Sequence, residues 1–348
     1  MGRVSRRIFH DSLRIISGLL LLTVAACTSS MPPSSPSVAA NPASTLPPKP
    51  EPEWLVLLNQ YRSANDLRPV AEDAQLSAGD LKHARYLVKN QIGFMAGADM
   101  HDENKTNQFY TDSGYWAGHS GNVMLATREL SQSEAMERWM GAPFHGLAML
   151  APDLRNSGFG LCCEAGRCAA VLSTGHMSDL YRVRKTRVVD QFDYDSDAPE
   201  KQDQAILETP VRWPAPGASI SDDSFDGREW PNPLSACPGY QAPTGPVIFA
   251  SFGRDFIADP RPESLICNGA PVEHCVITAE NYTSRDPSQL SHARETLKYF
   301  AAVLVIPREP LDPGTTCEVS LMVQGVETKW SFSVRQEPGQ AAGGGAPR

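Results

Sequence analysis

Ser131-Gln132-Ser133-Glu134-Ala135-Met136, then Trp139-Met140-Gly141-Ala142-Pro143-Phe144-His145, then Gly158-Phe159-Gly160: this stretch carries the strongest structural signals of the chain. It opens on a capping box, in which the Ser131 hydroxyl accepts from the Glu134 amide and Glu134 reaches back to the Ser131 amide. Ala135, Met136, Trp139 and Met140 recur at helical spacing, and Gly141 and Pro143 end the helix. Downstream, the apolar runs Phe159–Cys163 and Cys168–Ser173 flank Glu164-Ala165-Gly166-Arg167, which reads as a β-hairpin. Upstream, Trp54, Leu58 and Tyr61 place a helix over 53–65, and Leu81, Ala84 and Val88 place another over 77–91. Helices followed by a hairpin predict an α+β domain, here residues 52–185.

The chain begins with an export signal. Arg3, Arg6 and Arg7 precede an apolar run from Ile15 to Ala26, interrupted only by Ser17, Gly18 and Thr23. That run is shorter than the roughly 20 residues a membrane span needs, and it suits the apolar core of a signal peptide. Leu22-Thr23-Val24-Ala25-Ala26-Cys27 resembles a bacterial lipobox, which implies removal of residues 1–26 and lipid attachment at Cys27. Ser5-Arg6-Arg7-Ile8-Phe9 also resembles a twin-arginine export motif. Residues 27–51 are rich in Pro, Ser and Ala and read as an extended tether. The expected location is the bacterial cell envelope, facing periplasm or exterior, with the membrane as a partner through the lipid. The formal charge is −9, and loss of the net +3 in residues 1–26 leaves about −12. Such a charge argues against nucleic acid as a partner.

Past the first domain, residues 186–208 are acidic and unpatterned and read as a linker. Within them Asp193-Tyr194-Asp195-Ser196-Asp197 alternates oxygens like a calcium loop, but Ala198 stands where Gly is needed and Gln204 where the bidentate Glu should be. Residues 209–335 change to short apolar runs: Pro246–Phe252, Cys275–Glu280, Phe300–Ile306, Thr316–Val323 and Lys329–Val334. These predict an all-β sandwich, with Trp330 and Phe332 filling its core. The two domains are expected to fold independently, divided between Asp190 and Glu208. The tail 336–348 is rich in Gly and Ala and reads as disordered. Eight cysteines suit an oxidising compartment. With Cys27 lipidated, the expected pairs are Cys163 with Cys168, Cys267 with Cys275 and Cys237 with Cys317, leaving Cys162 odd.

The first domain resembles the bacterial branch of the CAP superfamily (cysteine-rich secretory, antigen 5 and pathogenesis-related proteins). The residues that carry this, in order, are Leu58-Asn59-Gln60-Tyr61-Arg62, Leu76 with Lys82-His83-Ala84, His101, Gly118 through Asn122, Trp139-Met140 with Pro143-Phe144-His145, and Gly158-Phe159-Gly160. The resemblance implies an α-β-α sandwich with a cleft lined by His101, His119, His145 and Asn122. The second domain is similar to bacterial immunoglobulin-like modules through Val211-Arg212-Trp213-Pro214, Glu229-Trp230-Pro231-Asn232-Pro233-Leu234, Pro310 through Thr316, and Lys329-Trp330-Ser331-Phe332.

In the family, two histidines and two acids line the cleft and can hold a divalent cation. Here the acids are absent: the Gly-Glu-Asn position reads Gly118-His119-Ser120-Gly121-Asn122, and Ala142 replaces the acid after the helix tryptophan. The candidate metal site is therefore His101, His119 and His145, with zinc as the cofactor and water in the fourth position. His83 and Trp139 read as structural. Gly118-His119-Ser120-Gly121 is not a nucleophile elbow, because Asn122 stands where that motif requires Gly. The expected function is an envelope-anchored, non-enzymatic binding module for lipid, cell-wall glycan or protein. The alternatives are a metal-dependent hydrolase of envelope peptide or glycan, and a structural adhesin-like protein.

Overall fold

The computed structural model describes residues 50–93, 99–175, 209–253, 260–323 and 325–336. The segments read as signal peptide and linker, nearly all of that read as tether, Cys27 and the tail from residue 337 lie outside them.

In the first half the chain runs α1 (Glu53–Ser63), β1 (Ala71–Glu72), α2 (Ala74–Asn90), α3 (Asp112–Ser120), β2 (Gly121–Ala126), α4 (Gln132–Gly141), α5 (Pro143–Met149), β3 (Asn156–Ser157), β4 (Phe159–Glu164) and β5 (Arg167–Ser173). The main sheet is antiparallel in the order β2-β5-β4. Central β5 shows why this half is layered. Its period-2 alternation sends Cys168, Ala170 and Leu172 into a core with Trp54, Leu58, Trp139 and Leu147 of α1, α4 and α5. Ala169 and Val171 point the other way, into a core with Ala84, Leu87, Val88 and Ala117 of α2 and α3. Both faces are covered, so the strand reads as a continuous apolar run. Gly160 lets α2 settle on β4: a Cβ there would stand 2.1 Å from the Leu81 nitrogen and 2.2 Å from the Asp80 carbonyl carbon.

The capping box forms by half. Ser131 Oγ accepts from the Glu134 amide at 3.1 Å. Glu134 does not return to the Ser131 amide; its carboxylate pairs with Arg128 and Arg138, cations that outcompete a neutral amide. The β4–β5 turn is two residues, Ala165 and Gly166, both at positive φ, with Cys163 opposite Cys168 and joined to it. Buried Arg62 donates to the carbonyls of Arg68, Met149, Ala151 and Leu154, tying α1 to the loop after α5. Burial lowers its pKa to about 10.

The second half contains β6 (Val211–Trp213), β7 (Ser219–Ile220), β8 (Ile248–Ser251), β9 (Pro260–Cys267), β10 (Ala270–Pro271), β11 (His274–Ile277), α6 (Pro287–Tyr299), β12 (Ala302–Pro307), β13 (Thr316–Val323) and β14 (Val326–Val334). They build a five-stranded sheet, β10-β9-β13-β14-β7, and a four-stranded sheet, β11-β12-β8-β6. Ile248, Ala250, Val303 and Val305 from one sheet meet Leu265, Val319, Leu321, Trp330 and Phe332 from the other. Two sheets thus face each other, as the alternating runs require, but this half is not all β. Asp286 caps α6 by accepting from the Ser288 and Gln289 amides, and Pro287 occupies its first turn.

Two expected disulfides are corrected. Cys267 joins Cys317, its register partner across β9 and β13, with Cα atoms 4.0 Å apart. Cys275 joins Cys237. The reason is topological: after the Asn268-Gly269 turn the chain leaves one sheet for the other, so Cys267 and Cys275 belong to different sheets. Cys162 is the free cysteine among the described residues.

The outer face of the four-stranded sheet is not solvent-exposed. Phe249, Leu304 and Ile306 enter the same buried cluster as Trp139, Phe144 and Leu147. The Phe144 and Tyr282 rings meet edge to face at 6.3 Å, Tyr61 meets Trp213 at 5.4 Å, and the Arg212 amide donates to Asn65 Oδ1 at 2.7 Å. The two halves share one core, which is why β8 and β12 are buried at every position.

Candidate functional site

The loop between α2 and α3 carries His101, whose amide donates to Asp99 Oδ1 at 2.9 Å. Its Nδ1 lies 2.7 Å from the Gly118 carbonyl oxygen. A carbonyl can only accept, so Nδ1 carries the hydrogen and Nε2 keeps its lone pair. Burial pushes the imidazole down to about 4, with the charge of His145 adding to the effect and the Gly118 carbonyl opposing it. His101 is therefore neutral at physiological pH. Gly118 makes this packing feasible: a Cβ there would lie 2.5 Å from His83 Cε1 and 2.9 Å from the His101 carbonyl oxygen. His83 beneath is fully buried, 2.8 Å from Glu103 Oε1 through Nδ1 and 2.9 Å from the Met100 oxygen through Nε2. It is structural.

His145 sits in the first turn of α5, where Pro143 starts the helix without a side-chain cap. The capping anion comes from the other half. Glu229 Oε1 accepts from the Phe144 amide at 2.8 Å, the His145 amide at 3.4 Å and His145 Nδ1 at 3.0 Å. Asn122 Nδ2 donates to the His145 carbonyl at 3.3 Å, fixing α5 to β2. The Glu229 side chain has no exposure, whereas that of His145 keeps 19%. Burial pushes the Glu229 carboxyl above its usual range, and the His145 and Phe144 bonds pull the other way. Its second oxygen is buried without a partner.

His145 thus takes its carboxylate partner from the second half. Sequence reasoning missed it because Glu229 lies 84 residues beyond His145, in a segment read only for its similarity to β modules. Trp230, which follows it, is 46% exposed and packs on His292 of α6 with ring centroids 5.0 Å apart. Burial pushes His292 down, Glu295 opposes this, and the charge of His145 adds to the lowering.

His119 does not join this group. Its Nδ1 is 2.9 Å from the Tyr115 carbonyl, its ring lies on Tyr115 at 4.2 Å, and Nε2 is 3.9 Å from Asp102. Among the described residues, His101, His119 and His145 do not form a group with ligating atoms within 4.8 Å of one another. Glu129 with Cys163 and Cys168 meets that distance, but the two sulfurs are bonded to each other. The three-histidine zinc site does not fit this structure, because the ligating atoms of His101, His119 and His145 do not converge. Two imidazoles alone fall short of the three protein ligands of catalytic zinc. Ser120 Oγ donates to the Trp116 carbonyl at 2.8 Å, an ordinary bond within its helix.

The model of the cysteine-rich secretory protein (CAP) family matches residues 55–174. That segment, from α1 through β5, is a CAP domain. No curated protein matches the chain. Two solved structures are similar to part of it. One is an extracellular protein containing an SCP domain from Bacillus anthracis str. Ames, 16% identical over 35% of this chain and 39% of its own length, with TM-score 0.26. The other is an outer surface protein from Borrelia burgdorferi, 16% identical over 34% of this chain and 85% of its own, with TM-score 0.25. The chain thus spans about two fifths of the Bacillus protein.

Proposed function

We propose that this protein is an extracytoplasmic binding module, anchored in the bacterial envelope by lipid on Cys27, and that His101 and His145 form its ligand site. The observation that carries the reading is the anchoring of both rings through Nδ1. The Gly118 carbonyl and Glu229 Oε1 each accept an Nδ1 hydrogen, which holds the ring in place and leaves its Nε2 for a ligand. Such a pair suits polar groups on a ligand. The second half, read as an immunoglobulin-like module, completes the site through Glu229. No helix of the described residues is long and apolar enough to cross a membrane; the anchoring reading rests on Cys27 and the residues before it.

A second reading, hydrolysis of envelope peptide or glycan, draws on the Glu229–His145 pair, since a carboxylate orienting an imidazole is also half of a hydrolytic triad. To separate the two, imidazole resonances of His101 and His145 would be followed during titration with fractionated envelope lipid, glycan and protein. Binding predicts shifts of both signals with the added fraction recovered intact. Cleavage products would favour hydrolysis, and unchanged signals with every fraction would sink both.

A further inference from the structure

Trp230 is the only aromatic residue among the exposed large apolar side chains of the described residues; the others are Val56 on α1 and Leu81 on α2. Its ring is not an isolated surface feature. The preceding residue, Glu229, is anchored at His145, and the ring rests on His292 at 5.0 Å with a 38° tilt. The segment through Asn232 is held as well: the Asn232 amide donates to Gln289 Oε1 at 2.8 Å, and Tyr282 Oη donates to the Asn232 carbonyl at 2.9 Å. An indole face is thus pre-positioned, one residue from the carboxylate that orients His145, with a second imidazole against it. We propose that Trp230 and His292 extend the His145 site into a subsite for a neutral oligosaccharide, one pyranose ring stacking on the indole while its hydroxyls donate to imidazole nitrogens.

The inference rests on the binding reading above and names its ligand class. A pyranose presents one apolar C–H face and a rim of hydroxyls, which suits a single flat aromatic beside polar acceptors. A lipid chain needs contiguous apolar surface, and no other exposed large apolar side chain belongs to this segment. A polyanionic glycan would meet a chain of net charge −9.

The test uses the full-length chain with chitotetraose and maltotetraose as probes, read by calorimetry and tryptophan fluorescence, and phosphatidylcholine vesicles as the contrasting arm. At least one oligosaccharide should bind and perturb the fluorescence. Trp230→Ala should weaken it roughly tenfold or more, while Trp230→Phe keeps most of the affinity. Because the ring is half exposed, both variants should fold, which a thermal melt would check. His101→Ala separates this inference from the wider reading. Loss of binding in His101→Ala but not in Trp230→Ala upholds the histidine site and overturns the subsite. Loss in Trp230→Ala alone upholds the subsite and overturns the role of His101. No binding of either oligosaccharide, or binding of the vesicles alone, overturns the proposal.

Discussion

Removing the Glu229 carboxylate should weaken the joint between the two halves. Its Oε1 receives three N–H groups, two of them within 3.0 Å, and all lie at the start of α5. Glu229→Ala leaves the buried Phe144 amide and the His145 Nδ1–H without an acceptor. At about 1–3 kcal/mol for each orphaned group, the loss should be roughly 3 kcal/mol or more. Glu229→Gln keeps an acceptor oxygen and removes a buried charge, so the weaker hydrogen bonds are offset by the desolvation no longer required. It should lie within about 1 kcal/mol of wild type at pH 7. The sign with pH follows from the raised carboxyl pKa. The folded state binds this proton more tightly, so the associated stability is present below the ordinary carboxylate range and is lost as pH rises through the higher folded value. Wild type should therefore lose stability relative to Glu229→Gln as pH climbs from about 4. Urea unfolding followed by tryptophan fluorescence at several pH values measures this. Equal losses in the Ala and Gln variants, or a loss under about 1 kcal/mol in Glu229→Ala, would refute the capping argument.

Arg62→Met should destabilise the protein by about 3 kcal/mol or more, since it leaves buried carbonyls of Met149 and Ala151 without a donor; denaturant melts give the value, and a neutral result would show that water replaces the guanidinium. His101, depressed to about 4, takes up its proton more readily unfolded than folded. Stability from this group is full above about 6.5 and lost as pH falls towards 4, so His101→Gln should flatten acid unfolding in that window. An imidazole signal titrating near 6.5 would contradict this. Labelled palmitate should enter the wild-type chain and not Cys27→Ala, and equal labelling of both would remove the anchor from the proposed function. Proteolysis in the acidic segment should give two fragments that co-elute on gel filtration, because Phe144 and Leu147 share a core with Phe249 and Leu304; fragments that separate would mean that this core is dispensable.

Local signals carried much of the fold. The Ser131 cap, the apolar spacing of Trp54, Leu58 and Trp139, and the runs 159–163 and 168–173 sit where a helix start, helix faces and a hairpin form. Strand Thr316–Val323 has the bounds its alternation gives. In each case the deciding interaction lies within a few residues, so spacing records it. The helix over Pro287–Tyr299 carries its own start signal in Asp286-Pro287-Ser288, within a region whose other apolar runs alternate as strands. Residues distant in sequence were not legible. Alternation shows that a strand has two faces but not what covers them, so the burial of both faces of Phe249 and Leu304 sheet positions by α5 on one side and β13 on the other had no local trace. The cysteine pairs followed sheet membership instead of proximity along the chain, because the chain changes sheets between Cys267 and Cys275. The histidine site shows the same limit. The sequence alone carried the resemblance that singles out His101 and His145 and that meets no carboxylate at the two positions where it implies acids. That His119 bonds to its own helix and that a glutamate 84 residues away serves His145 came with the three-dimensional packing, since a buried carboxylate finds its hydrogen-bond donors through packing and leaves no periodic mark in the chain.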